Sequence, residues 1–397
     1  MKILVVCQNY YPEPFRVSDI CEKLVTHGHE VHVLCGIPNV PKGEFYPGYA
    51  SKDKREEIHN GVHIHRVYNV ARGHNAIKRA LNYFSFPHFG KKAVKKLPGD
   101  FDIVFAYMLS PVMMVEPAIY YGKLHNVPVL LYELDPWPSN LTAGGIKENS
   151  LIYRYIAKKS RKIYQSCDKI FACSKPHISY FEILCSRHLP ISYLPQYACD
   201  EGEYQVPKGK DCHFLYVGNV GQALPLEIFF DAFKEAMKSN EHLYLEIAGE
   251  GSAFMEAQQY CKAHQVEHVT FHGYLDKKQL AELSSKCKAA IVLLNHQFYS
   301  QSTVPGKVQT YLKYGFPIIA SDDGATKEII NDAEAGIVIP TSDQKELTQA
   351  FLDIASSGKD TLMMYSKNGR EYYQEHMSEE RFFRVLEEAF QELTNKK

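Results

Sequence analysis

The stretch TVPGKVQTYLKYGFPIIAS, Thr303–Ser321, carries the pattern that decides the fold. Pro305 suits the first turn of a helix, where a missing N–H leaves no gap in the hydrogen bonding. Val308, Tyr311 and Leu312 recur at i, i+3 and i+4 and form the face to be buried. Gly315 ends the helix, and the β-branched run FPIIAS reads as a strand. The same alternation runs along the whole chain. KILVVC, EVHVLC, VHIHRVY, FDIVFAYM, VPVLLYEL and KIFACS read as strands, with helices near 16–27, 112–124 and 150–165. It restarts with HFLYVGNV, LYLEIAGEG, VTFHGYL, AAIVLLN, FPIIAS and AGIVIP, with helices near 226–238, 252–264, 276–287, 305–314 and 324–331. Strands alternating with helices make parallel sheets covered on both faces, an α/β fold. A polar Pro/Gly-containing stretch around 196–210 joins the two runs, so the chain reads as two doubly wound domains. The expected bounds are 1–197, 198–370 and a last segment 371–397. In that segment Ser378 caps a helix with the apolar stripe Phe382, Phe383, Leu386, Ala389 and Phe390.

With 397 residues, 45% hydrophobic and 23% charged, the chain has material for two ordinary soluble cores. The net charge of −1 hides an asymmetry: residues 1–195 hold 25 Lys+Arg against 16 Asp+Glu, and the remainder 20 against 30. A basic first half points to an anionic surface or substrate there. The ten cysteines show no C-x-x-C spacing, which excludes the usual zinc patterns, and they read as buried thiols of a reducing cytoplasm. MKILVVCQ is a first strand rather than a leader, and no window reaches the length of an apolar membrane span.

In such sheets ligands bind at the carboxyl ends of strands, and a ligand held by both domains would occupy the cleft that they face. Three strand ends of the second half run into glycine loops before a helix. They are YVGNVGQ with Gly218, Asn219 and Gly221; EIAGEGS with Glu250 and a Ser252 cap; and FHGYLDKKQL with an Asp276 cap. Together they point to a nucleotide site on one rim. The opening stretch is a fourth. Gly306 leaves the free amides of the helix start open to a phosphate. Lys307 is unfavourable in a first turn unless an anion sits there. Glu328, after the next strand, is placed to bond sugar hydroxyls.

These stretches, with KILVVCQNYYPEP, GHEVHVLCG, ELDPWP and CDKIFACS, resemble family-4 glycosyltransferases of GT-B fold, especially bacterial members that build capsule or O-antigen polysaccharide. The resemblance implies a nucleotide-sugar donor, with its base near Tyr274 and Leu275, and ribose and diphosphate near Thr310 and the Pro305–Lys307 turn. It also implies a C-terminal helix crossing back to the first domain, retention of anomeric configuration, and a lipid-linked saccharide as acceptor. The family's two glutamates fall at Ser302 and Thr310, and its two diphosphate cations at Asn219 and about Leu224. Capsule-type relatives share the Asn219–Gly221 and Pro305–Lys307 patterns instead, which leaves Lys307 as the leading cation.

On the acceptor side, NYYPEPFRVSDI contributes Tyr11 and Arg16, the latter reaching for a phosphate. YELDPWPSN contributes Trp137, a candidate platform for a sugar ring, and Asp135 at the strand tip, which would orient or deprotonate an acceptor hydroxyl. Residues 78–96 interleave aromatics with lysines and suit an anionic membrane surface; no nucleic-acid recognition fold accompanies them. The chain therefore reads as a cytoplasmic transferase, peripheral on the inner face of the plasma membrane. Its donor is a uridine-diphosphate sugar, and it needs no cofactor or metal, having no Asp-x-Asp. Catalysis falls to Lys307, Asp135 and Arg16. The competing reading is a non-catalytic nucleotide-sugar binder or partner subunit; an epimerase of similar fold is a third. A dinucleotide oxidoreductase is disfavoured, since the first strand lacks G-x-G-x-x-G.

Overall fold

The computed structural model describes residues 1–50, 54–143, 145–199, 202–221, 224–295 and 302–395. The chain divides into two compact units, 1–194 with 385–397, and 195–384.

The first unit is an eight-stranded sheet. Its strands are β1 (Lys2–Val6), β2 (Glu30–Gly36), β3 (Glu56–His59), β4 (Val62–Val67), β5 (Ile103–Met108), β6 (Val129–Glu133), β7 (Lys169–Ala172) and β8 (Ile191–Tyr193), in the order β3-β4-β2-β1-β5-β6-β7-β8. All neighbours are parallel except β3 and β4. Central strands carry helices on both faces, so Ile3–Val6 and Ile103–Met108 are wholly buried and read as unbroken apolar runs. VHIHRVY was expected as a strand and is β4, but β3 and so the β3–β4 hairpin were not. Its turn is Asn60-Gly61, both at positive φ (47° and 80°), the pairing that a tight hairpin favours.

The second unit is an all-parallel sheet: β9 (Cys212–Val217), β10 (Leu243–Ala248), β11 (Val269–Gly273), β12 (Cys287–Leu293), β13 (Ile318–Ser321) and β14 (Gly336–Ile339). The order β11-β10-β9-β12-β13-β14 is doubly wound and reverses direction between β9 and β12. Successive residues of β9 feed opposite cores. Phe214 and Tyr216 pack with Phe229, Phe233 and Ile291, whereas Leu215 packs with Val308, Tyr311 and Leu312.

The stretch after Pro195 is not a loose linker. Tyr204 is buried, donates its hydroxyl to Lys288 O (2.9 Å) and donates its amide to Tyr314 O (2.8 Å). The expected segment 371–397 resolves into the end of one helix, Lys359–His376, and a second, Glu379–Asn395; the change of unit falls within the second, at Val385. There Phe390 meets Phe105 edge-on at 5.7 Å, and Glu387 accepts from His27 (2.9 Å) and His29 (3.1 Å). Among the described residues no helix is long and apolar enough to cross a membrane.

Candidate functional site

In the second unit three strand-end loops are stitched by main-chain bonds. Gly218 N donates to Ala248 O (2.9 Å), Val220 N to Glu250 O (2.9 Å), Ala253 N to Val220 O (2.9 Å) and Gly249 N to Gly273 O (2.7 Å). Glycine is required where the loops touch. A Cβ on Gly249, at φ +134°, would lie 2.0 Å from Gly218 O, and one on Gly251 would lie 2.4 Å from Asn219 Oδ1 and from Val220 O. The rim lies at the carboxyl end of β9, beside the switch point where doubly wound sheets bind ligands. Gln222, at the end of the first loop, lies outside the described residues. Ser252 does not cap the next helix, which spans Phe254–Ala263 after Ala253; the bond from Ala253 N to Val220 O fixes that entry instead. Asp276 does cap its helix, in a reciprocal box with Gln279.

The helix Gly306–Tyr314 begins at Pro305 with no side-chain cap; Val308 N donates back to Pro305 O (3.0 Å), so the amides that an incoming ligand would meet are those of Gly306 and Lys307. A Cβ on Gly306 would meet nothing within 4 Å. Two tyrosines outside the expected site set fix this helix against the rim. The ladder between β9 and β12 ends at Leu215, and Val217 N donates instead to the Tyr311 hydroxyl (3.1 Å). The Tyr216 ring lies 3.9 Å from Lys307 Nζ, a cation–π contact. Lys307 also stands against the loop: a Cβ on Gly218 would come 3.2 Å from its Nζ. No carboxylate among the described residues pairs with it, and burial brings its pKa down to about 7. A half-buried lysine at a helix start that favours negative charge could hold an anion.

The other expected donor residues are placed as follows. Thr310 is half-buried on the same helix, one turn after Lys307. Glu250 is exposed, with its Oε1 3.9 Å from where a Cβ on Gly273 would lie. Tyr274 is 78% exposed, and Leu275 packs inward on the core. Glu328 is exposed in the first turn of the helix Ala325–Asp332. Burial and then Asp332, Glu328 and Glu375 push the Tyr372 hydroxyl up to about 12, so the Glu328 charge is felt at the helix Lys359–His376.

In the first unit the carboxyl edge is organised by buried carboxylates. Glu13 accepts from Tyr10 N (3.1 Å), Asn9 Nδ2 (3.2 Å), Asn39 N (2.7 Å) and Val40 N (2.7 Å). Tyr11 stacks on His59 at 3.7 Å. Arg16 precedes the helix Val17–Thr26, and its charge reaches the buried Tyr132 hydroxyl on β6. Glu133 turns inward and pairs with buried His177 (2.9 Å), leaving Asp135 at the tip. Burial pushes the Asp135 carboxyl up against the pull of Asn140, His177, Ser110 and Arg72. Trp137 is corrected: at 3% exposure it is no open stacking platform. Its Nε1 donates to Ser110 Oγ (2.8 Å), its carbonyl accepts from Tyr164 (3.0 Å), and Tyr83 meets its ring edge-on at 5.8 Å. An indole with its N–H satisfied is stable inside, and here it holds up the loop.

Two doubly wound α/β units in one chain, the second with a glycine rim and an unneutralised lysine, define the class: a GT-B glycosyltransferase. The model of Glycosyltransferase Family 4 matches residues 16–182 and that of Glycosyl transferases group 1 matches 203–372; the chain belongs to these glycosyltransferases. It is 23% identical to a probable glycosyltransferase, WbjE, of Pseudomonas aeruginosa over 68% of this chain and 70% of that one. It is likewise 23% identical to a GDP-mannose-dependent α-mannosyltransferase of Mycobacterium tuberculosis, over 86% and 85%. Among solved structures, Anabaena HepE in complex with UDP and glucose superposes with a TM-score of 0.69 at 11% identity, covering 98% and 99%.

Proposed function

We propose that this glycosyltransferase moves a sugar from a uridine-diphosphate donor to a lipid-linked saccharide during surface-polysaccharide assembly, with retention and without a metal ion. The observation that carries the reading is Lys307: desolvated, unpaired by any described carboxylate, and set at an uncapped helix start beside Gly218. It supplies the charge stabilisation that a departing diphosphate needs, with the amides of Gly306 and Lys307. In a retaining transfer the leaving phosphate takes the acceptor proton, so Asp135 orients the acceptor hydroxyl rather than acting as a strong base. Arg16 adds charge on the acceptor side, and the basic aromatic segment 78–96 brings the protein to the inner membrane face. Support for the uridine base comes from the UDP held by HepE.

A second donor, GDP-mannose, is favoured by the mannosyltransferase relative. A thermal-shift screen of UDP- and GDP-sugars decides between them, because a bound ligand raises the melting temperature by mass action. The screen is followed by transfer of labelled sugar to a lipid extract. A UDP-sugar should give both the shift and label in the organic phase. A shift with GDP-mannose alone would overturn the uridine assignment, and label that stays water-soluble with every extract would overturn the lipid-linked acceptor.

A further inference from the structure

The first unit carries a second apolar and cationic helix face that the proposed function leaves unused. The helix Leu151–Tyr164 is capped by Ser150, whose hydroxyl accepts from Tyr153 N (3.2 Å), and it buries Ile156, Ala157, Ser160, Ile163 and Tyr164. Its outer face is unlike ordinary solvated surface. Leu151 is 81% and Ile152 61% exposed, and Tyr155 is exposed beside them. Arg154, Lys158 and Lys162 stand around them, exposed and with no carboxylate partner among the described residues. Residues 149–167 contain no Asp or Glu. A solvent-facing helix ordinarily mixes signs at i, i+4. Large apolar side chains beside unneutralised cations are the composition of an interfacial helix.

The fold places this helix next to the one expected to meet the membrane. From β4 to β5, β6 and β7 the chain advances across the sheet in one direction, so right-handed crossovers put the helices Ala76–Ala93, Glu116–His125 and Leu151–Tyr164 on one face. Glu116, at the start of the middle helix, pairs with Lys91 from one side (2.6 Å) and Lys159 from the other. The loop after β6 leans on both outer helices, through the Trp137 ring on Tyr83 and the Trp137 carbonyl on Tyr164. On the helix Ala76–Ala93, Ile77 (74% exposed), Leu81 and Phe84 recur at i, i+4 and i+7, and residues 76–96 also lack any acid. Two acid-free faces thus bracket the loop that carries Asp135.

The geometry points to a two-helix docking surface for an anionic lipid leaflet, in which the helix Leu151–Tyr164 is the second anchor beside the helix Ala76–Ala93. It rests on the membrane-side acceptor reading above. Charge complementarity selects the occupant: anionic headgroups meet Arg154, Lys158 and Lys162, while Leu151, Ile152 and Tyr155 enter the acyl boundary. Seated this way, the Asp135 loop lies at headgroup level, where a lipid-linked acceptor presents its saccharide.

The test is co-sedimentation of the full chain with vesicles of phosphatidylethanolamine and phosphatidylglycerol, against vesicles of phosphatidylcholine alone. The parent should bind only the anionic vesicles. The variant Arg154→Gln/Lys158→Gln/Lys162→Gln should bind about a hundredfold more weakly, and Leu151→Ser/Ile152→Ser at least roughly tenfold more weakly. Ile77→Ser/Leu81→Ser should weaken binding similarly. All the changed residues are exposed, so each variant should melt within a few degrees of the parent, and a loss then reports the surface. If both helix-151 variants bind like the parent while Ile77→Ser/Leu81→Ser does not, the second anchor is overturned and the first stands. A parent that ignores anionic vesicles, or that binds polyuridylic acid in their place, overturns both.

Discussion

Replacing Lys307 by methionine keeps most of the side-chain volume and removes the charge on which the proposed donor site turns. The drop of its pKa from 10.5 to about 7 corresponds to about 5 kcal/mol of unfavourable burial of the charged form. The sign follows from proton counting. Between about pH 7 and 10.5 the unfolded chain holds a proton on Lys307 that the folded chain has lost, so the unliganded fold gains stability as pH rises through that window. Below it the penalty is fully present, and Lys307→Met should melt higher than the parent at pH 7. Donor binding reverses this. A diphosphate beside Nζ favours the charged form, so at pH 8 to 9 UDP binding should take up close to one proton, and affinity should fall by up to about tenfold per pH unit above 7. Removing one member of a desolvated charge pair costs about 3 kcal/mol, on the order of a hundredfold in Kd. Titration calorimetry in buffers of different ionisation enthalpy reads affinity and proton uptake together. Equal UDP affinity for the variant and the parent, with no proton taken up by either, would refute the reasoning.

Three further outcomes follow from the same geometry. Gly249→Ala forces a Cβ to 2.0 Å from Gly218 O at a φ that side chains avoid. It should lower stability by about 1–3 kcal/mol and abolish the UDP-induced thermal shift; an unchanged shift would mean that the rim does not hold the donor. Trp137→Ala should cost about 3–5 kcal/mol in denaturant unfolding. As the sole tryptophan, Trp137 should emit at short wavelength and resist acrylamide whether or not acceptor is present; ready quenching would place it back at the surface. Burial pushes the Glu246 carboxyl up, but bonds from His213 (2.7 Å), His272 (2.6 Å) and Lys286 (2.9 Å) overrule it and bring the pKa to about 2. That stability is present above pH 4.5 and lost as pH falls towards 2, about 3 kcal/mol in all. Glu246→Gln should flatten acid unfolding over this window, and a parent-like acid curve would count against these three bonds.

What was legible in the sequence follows from how each feature is determined. Parallel central strands are buried on both faces, so KILVVC and FDIVFAYM announce themselves by composition alone. Pro305, Gly306 and the Gly315 stop are local rules, and they locate the helix Gly306–Tyr314 to within a residue. The helix Lys359–His376 escaped because two of its four buried positions are Ser366 and Gly369, and the three-residue β8 is too short to show a period; Gln344–Ser356, with Leu347, Ala350, Phe351 and Ile354 at i, i+3, i+4 and i+7 behind the Asp343 cap, was legible and was missed. At the site, neighbours decide. Tyr216 beneath Lys307 comes from another element, as do Ser110, Tyr164 and Tyr83 around Trp137, and no spacing within YELDPWPSN could reveal that its indole was already enclosed.

The return of the chain to the first unit at Val385 has a bearing on biosynthesis. The β-sheet of the first unit, made before the second unit, lacks Phe390 against Phe105 and Glu387 between His27 and His29 until the second unit has been made in full. The first unit is therefore completed only after the second, and until then it lacks the packing of Phe390 on Phe105. A nonsense mutation within the second unit should thus damage the first unit as well.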